Sequence, residues 1–322
     1  FARADNLISD HLPKFEPELF GKQGKIMDSW ETVRHNVSGV DSFHFKLKKP
    51  GIVKYVLLST KYHTGNFSPA VKIEGKAGNE WIEIVPLTKM EGHSELRITL
   101  DEKTPEISEV RASQYPDGGF SRLGLYSDLP DDIKKTFDGK MNKCSDPVPA
   151  TIKPLAIPYE PDEKELAKNW AAVKDQEFNN SSLALGAKIV SATDEHYSPA
   201  SLILSPFEPI HMFDGLENAR ARKPGHFEEV VLKLSRPAPI HRIEFDYTYF
   251  VNNNPLDVSV DALTKGEWKS IVEKTYVKAF AGNKKVFEIE SKDTFEEVRI
   301  RNYPCGGMNR VKVYSRRSLN AD

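Results

Sequence analysis

The side chains best suited to chemistry in this chain stand in short segments rich in turn-forming residues. Asp28, Glu31 and Arg34 surround Trp30, His63 and Asn66 flank Thr64-Gly65, and Asp117 and Arg122 flank Gly118-Gly119. An arginine offers a planar fork that takes a carboxylate through two parallel hydrogen bonds. A carboxylate or an imidazole can accept a proton from water or return one to a leaving group. Each residue also has a plainer reading. Pro116-Asp117-Gly118-Gly119 has the composition of a tight turn in which the aspartate accepts backbone hydrogen bonds. Trp30 suits a core, Glu31 and Arg34 suit an ion pair at a strand entry, and His63 suits a loop. No zinc motif, phosphate loop, nucleophile elbow or Gly-rich dinucleotide turn occurs at the required spacing.

These segments recur in the second half. Tyr115-Pro116-Asp117-Gly118-Gly119 is answered by Tyr303-Pro304-Cys305-Gly306-Gly307, Asp28-Ser29-Trp30-Glu31 by Asp214-Gly215-Leu216-Glu217, and Val71-Lys72-Ile73-Glu74 by Val258-Ser259-Val260-Asp261. The spacings, 304 − 116 = 188, 214 − 28 = 186 and 258 − 71 = 187, are nearly constant. A period this long means that a whole domain, not a solenoid unit, has been duplicated. The second copy adds its own candidates: Glu217, Arg220 and Arg310 from the repeated motifs, and Asp194, Glu195 and His196 upstream.

What positions these residues reads as sheet. Phe43, Phe45 and Leu47, then Leu96, Ile98 and Leu100, then Val230, Leu232 and Leu234, then Ile243, Phe245 and Tyr247 alternate with polar residues at the period of half-buried strands. Turn formers such as Pro50-Gly51, Gly78-Asn79 and Asn252-Asn253-Asn254-Pro255 separate the runs. Many short strands without alternating helices predict an all-β protein, a tandem of two jelly-roll β-sandwiches. Residues 1–130 form the first and 181–317 the second. The proline-rich stretch 131–180 reads as a linker. Within it Pro161-Asp162-Glu163 marks a helix start, and Leu166, Trp170 and Val173 continue at helical spacing, which packs Trp170 onto a domain. Trp81 and Trp268 occupy equivalent strand positions and are expected in the cores.

Composition narrows the class. The 322 residues carry 45 basic and 47 acidic side chains, a net charge of −2, which offers nothing to a phosphate backbone. Neither a nucleic-acid partner nor a membrane partner is expected, since no apolar run approaches eighteen residues. Two cysteines, Cys144 and Cys305, make no disulfide framework and suit a reducing, cytoplasmic setting. Phe1 in place of Met, and a first copy that starts later in its pattern than the second, suggest that the natural N-terminus is missing.

Asp28-x-Trp30-Glu31-Thr32-x-Arg34, Thr64-Gly65-Asn66-Phe67-x-Pro69 and Tyr115-Pro116-Asp117-Gly118-Gly119-x-x-Arg122-Leu123, in that order, resemble the allantoicase family. Leu185-Gly186-Ala187-Lys188-Ile189-Val190-Ser191-x-x-Asp194-Glu195-His196-Tyr197 is similar to that family's opening strand. The resemblance covers both copies and omits the linker. It implies a galactose-binding-like tandem of jelly rolls that hydrolyses allantoate to ureidoglycolate and urea. On that reading Glu31, Asp117 and His63 are catalytic candidates, and Asp28, Arg34, Asn66 and Arg122 hold the substrate. Leu216, Asn218, Asn252 and Cys305 depart from the pattern and point to the first copy as the working one. The rival reading is a non-catalytic ligand-binding protein or an inactive structural homologue. No cofactor is expected; Asp194 and His196, on one face of a strand, are the alternative, a divalent metal site. A homo-oligomer is left open.

Overall fold

The computed structural model describes residues 11–151, 153–173 and 177–316. The chain divides into two units, Phe1–Leu19 with Ile26–Ile152, and Phe20–Lys25 with Lys153–Asp322.

In the first unit one antiparallel sheet runs Asp41–Gly51, Ile107–Tyr115, Ala70–Ala77, Glu80–Lys89, and the other Arg122–Tyr126, Tyr55–Ser59, Ser94–Thr99, Met141–Lys143. The second unit repeats the plan with Glu228–Ala238, Phe295–Tyr303, Asp257–Thr264, Glu267–Tyr276 in one sheet, and Arg310–Arg316, Ile240–Asp246, Lys284–Glu288 in the other. Register is inherited too: Ala70 faces Tyr115 in the first copy, and Asp257 faces Tyr303 in the second. Both units are jelly-roll sandwiches of the galactose-binding-like type, in which non-sequential strands lie side by side.

Period-two alternation fills each sandwich. Val71 and Ile73 are buried while Lys72 and Glu74, which alternate with them, stay half-exposed. One core gathers Trp30, Leu58, Ile73, Val110 and Phe120; the other gathers Leu216, Phe245, Phe250, Val260 and Val313. At roughly 25 cal/mol per Å² of apolar surface, each buried Leu, Ile or Phe adds about 1.5–3 kcal/mol.

Three expectations need correction. Trp81 and Trp268 are not core residues. Each is half-buried on an outer sheet face beneath an arginine, with Arg111 Cζ 4.7 Å from the Trp81 ring and Arg299 Cζ 4.4 Å from the Trp268 ring. Glu74 and Asp261 anchor those arginines by salt bridges of 2.6 Å, so the ladder is cation–π below and ionic above. The linker is also more than a spacer. Met141–Lys143 adds an edge strand to the first unit against Ser94–Leu96, and Glu177–Asn179 adds one to the second against Tyr314–Arg316. The helix Glu163–Ala172 does form, with Asp162 accepting from Glu165 N at 2.8 Å as its N-cap. Trp170 Nε1 donates to Leu185 O at 3.1 Å and its ring meets Phe178 edge-on. Finally, the strand Lys188–Ala192 ends before Asp194, so residues 194–196 lie in irregular chain and strand alternation does not govern them.

Candidate active site

The three motifs of the first copy meet. Trp30–Glu31 pairs with Gly119–Phe120, Glu31 opposite Gly119. Thr32 N donates to Gly118 O at 3.0 Å, and Gly118 N donates to Thr32 Oγ1 at 3.0 Å. The third segment closes on both: Gly119 N donates to Asn66 O at 2.6 Å and Ser68 N to Gly119 O at 2.9 Å. Such closeness demands glycine. Gly118 has φ +144°, and a Cβ there would lie 2.4 Å from Phe67 O.

On this knot Asn66 Nδ2 donates to Glu31 Oε1 at 2.8 Å. Arg34 is buried three residues beyond Glu31 on the same segment. Glu31 itself is half-buried, so a carboxylate, an amide and a guanidinium come from two loops brought together by the glycine turn.

The other candidates take framework roles. Arg122 is 6% exposed and donates through Nη2 to Asp28 Oδ2 (2.7 Å), through Nη1 to Asp28 O and Ser121 O, and through Nε to His11 O. All three guanidinium nitrogens bond within the fold, so Asp28 and Arg122 stand as a framework pair rather than in the open position expected of a substrate-binding one. His63 is fully buried, with Nε2 2.7 Å from Ser29 Oγ and its ring against the bare face of Gly119, where a Cβ would lie 2.0 Å away. His63 thus stands in a framework position beneath the glycine turn, away from the open one expected of a catalytic group. Asp117 accepts from His35 N at 3.0 Å and Asn36 N at 3.3 Å, the turn-holding reading.

The second copy explains why its motif looked degraded. Arg310 repeats the framework pair, bonding Asp214 Oδ2 at 2.8 Å, Asp214 O, Asn309 O and Phe207 O. Phe250 replaces His63 beneath Gly307. Leu216 replaces Trp30 in the core. Cys305 replaces Asp117 and still accepts a backbone hydrogen bond, from Ala221 N at 3.1 Å. Every one of these substitutions falls on a framework position. Asn253, which sequence reading passed over inside an asparagine run, donates to Glu217 Oε1 as Asn66 does to Glu31. Its position 187 residues after Asn66 was the available signal.

Upstream, Asp194 accepts from His196 N at 2.9 Å and Ala219 N at 2.6 Å, and Glu195 accepts from Ala200 N at 2.6 Å. These carboxylates clasp backbone. His196 is exposed, its ring 4.5 Å from that of Tyr197. Among the described residues no three His, Cys, Asp or Glu side chains are grouped to hold a metal ion, and no helix is long and apolar enough to cross a membrane.

An open depression of about 570 Å³ lies beside the Asn66 loop, bordered by Thr64, Phe67, Met90, His93, Glu91 and Lys143. Its lysine is paired with Glu91 at 2.9 Å, both well exposed, so it competes poorly as an anion site.

The chain is a duplicated galactose-binding-like sandwich whose copies share a glycine turn, a Glu–Asn bond and an arginine. The allantoicase repeat matches residues 1–130 and 178–318. The chain belongs to the allantoicase family. It is 28% identical to probable allantoicase 1 of Burkholderia mallei, over 98% of this chain and 88% of that protein. To the probable allantoicase of Pseudomonas fluorescens it is 27% identical, over 97% and 89%. The crystal structure of allantoicase from Saccharomyces cerevisiae is 23% identical, with a TM-score of 0.42 over 97% of this chain and 86% of that one.

Proposed function

We propose that this chain hydrolyses allantoate to ureidoglycolate and urea, with Glu31, Asn66 and Arg34 of the first copy at the reacting centre. The observation that supports this reading is the Asn66–Glu31 bond, made across 35 residues by two loops locked to one glycine turn. Allantoate carries a carboxylate and two ureido groups on one carbon. Arg34 neutralises the carboxylate. Glu31, oriented by Asn66, accepts a proton from water as its oxygen bonds the central carbon. As the carbon–nitrogen bond breaks, the same carboxyl group returns that proton to the departing nitrogen, and urea leaves neutral. One positioned acid–base group contributes about 10²–10⁴ in rate.

The setting we infer is a reducing cytoplasm, supported by the two free cysteines, Cys144 half-buried and Cys305 buried. The test is urea release from allantoate by the full chain. Urea and ureidoglycolate in equal amounts are expected, with kcat lowered in Glu31→Gln. No urea from the wild-type chain overturns the reading.

A further inference from the structure

The loop that carries Asn66 to Glu31 rests against a second loop of the first unit, residues 90–93, between the strands Glu80–Lys89 and Ser94–Thr99. The two approach closely. A Cβ on Gly92 would lie 2.3 Å from Thr64 O and 3.0 Å from His63 O, so only glycine fits there. His93 N donates to His63 O at 2.8 Å, and the His93 ring then bonds in two directions. Tyr62 N donates to His93 Nδ1 at 2.9 Å, and His93 Nε2 lies 2.8 Å from Asp146 O. A backbone amide only donates, so Nδ1 is the bare nitrogen; a carbonyl only accepts, so Nε2 carries the ring proton. Tyr62 and His93 both hold left-handed backbone, with φ of +70° and +51°, a conformation that favours glycine.

The second copy fills the same places differently. Gly282, at φ +72°, donates to Phe250 O as His93 donates to His63 O. With no side chain at that position, the amide of Tyr249, the counterpart of Tyr62, donates instead to Asn309 Oδ1 at 3.2 Å. One backbone N–H is thus met by a carboxamide in the second copy and by an imidazole in the first. A carboxamide accepts at any pH, whereas histidine ordinarily changes charge between about pH 5 and 8.

Around His93 stand Glu91 on its own loop, Lys61, Tyr62 and His63 on the facing loop, and Lys143, Cys144 and Asp146 on the segment behind. Glu91 pairs with Lys143 at 2.9 Å and Asp146 with Lys61 at 2.8 Å, so these charges balance pair by pair. Hydrogen bonding from Lys61 holds the Asp146 carboxyl below its usual range, and it stays ionised where histidine titrates. Burial pushes the Cys144 thiol up, and it stays neutral there. His63, bonded to Ser29 Oγ at 2.7 Å, is the neighbouring histidine whose titration a test must tell apart.

We propose that His93 is a positioning residue for the reaction at Glu31: its neutral ring seats residues 62–66 so that Asn66 meets Glu31, and a second proton on the ring sets N–H against N–H, releases the loop and lowers turnover. The inference rests on the proposed function, and two readouts separate them. Hydrogen exchange of the full chain, corrected for the intrinsic effect of pH, is followed at residues 62–66 and at their counterparts, residues 249–253. Between about pH 7.5 and about pH 5.5, protection of residues 62–66 in the wild type falls at least ~10-fold while residues 249–253 stay within about twofold. In His93→Asn, whose carboxamide keeps an acceptor for Tyr62 N and tolerates left-handed backbone, both loops stay within about twofold. Urea release from allantoate runs in parallel: over the same interval the wild-type kcat falls at least ~10-fold and that of His93→Asn less than about threefold. Should His93→Asn fail to fold, the contrast between the two loops of the wild type decides. Unchanged protection of residues 62–66, or an equal fall at residues 249–253, overturns the proposal. A wild-type pH profile in His93→Asn also overturns it and assigns the acid limb to His63 or Glu31. A chain that releases no urea at any pH overturns the proposed function, and the exchange result still decides whether His93 seats the loop.

Discussion

Replacing Arg310 by methionine separates a framework arginine from a substrate-binding one. The guanidinium is 1% exposed and bonds the Asp214 carboxylate at 2.8 Å together with the carbonyls of Asp214, Asn309 and Phe207. Methionine fills much of the volume and supplies none of those donors. The Asp214 carboxylate keeps Ile210 N at 3.1 Å but loses its counter-charge in a place 6% exposed to water. Breaking a buried ion pair from one side costs about 3–5 kcal/mol. For a unit of this size each kcal/mol moves Tm by about 2–4 °C, which gives a fall of about 6–20 °C. The assay is thermal unfolding alongside urea-release kinetics well below the transition. KM should stay within about twofold of wild type, because all three guanidinium nitrogens are bonded within the fold. The double variant Arg310→Met, Asp214→Leu should recover part of the loss, since both charges are then gone. The reasoning is refuted if Arg310→Met leaves Tm within a degree of wild type and raises KM tenfold or more.

The remaining predictions follow from other contacts. Asp117→Asn keeps a carbonyl oxygen for His35 N and Asn36 N, now 3.0 and 3.3 Å from the carboxylate. It should cost about 1 kcal/mol in chemical denaturation and change kcat by less than about threefold; a hundredfold loss would restore Asp117 to proton transfer. Gly118→Ala forces a Cβ to 2.4 Å from Phe67 O at φ +144°. It should cost more than about 1 kcal/mol and remove most of the urea release by displacing the Asn66 loop. Unaltered stability and rate would mean that the loop yields freely. Tyr247 is fully buried, and burial pushes its phenol well above the ordinary value of 10.0. Its folded pKa is the raised one, so this contribution to stability is complete below about pH 10 and is lost as the pH climbs from there toward the folded pKa. Tyr247→Phe should flatten that alkaline decline in a pH series of unfolding experiments.

Strands and duplication were legible because each rests on a local pattern. Alternation at Val71 and Ile73 reports one buried face directly, and the glycine turns at Gly118 and Gly306 mark positive φ in both copies. The edge strands Met141–Lys143 and Glu177–Asn179 were not legible, because three residues carry no period and the strand exists only through its partner. Trp81 and Trp268 were misplaced for a related reason. A period of two says that a residue shares a face with its neighbours; it does not say which face the core occupies when a tryptophan can lie under an arginine outside. Asp194 and His196 were read on a strand that stops at Ala192.

At the site, position was legible and role was not. Asp28, Arg122, Asp117 and Glu31 are all charged residues of one knot, and nothing in their types distinguishes the arginine that ties the chain to itself from one that would grip a ligand. What separates them is the comparison of the two copies in space. Where the second copy substitutes freely, as Phe250 for His63 or Cys305 for Asp117, the side chain's partner is backbone or core, and the replacement serves the same partner. Where it holds the pair Asp214 and Arg310, all three guanidinium nitrogens bond within the fold. Glu217 and Asn253 repeat, across two loops, the bond that joins Glu31 to Asn66. A duplicated chain thus carries its own control experiment: two copies under the same folding constraints, in which a position that keeps its partner while its side chain is replaced has been serving the fold.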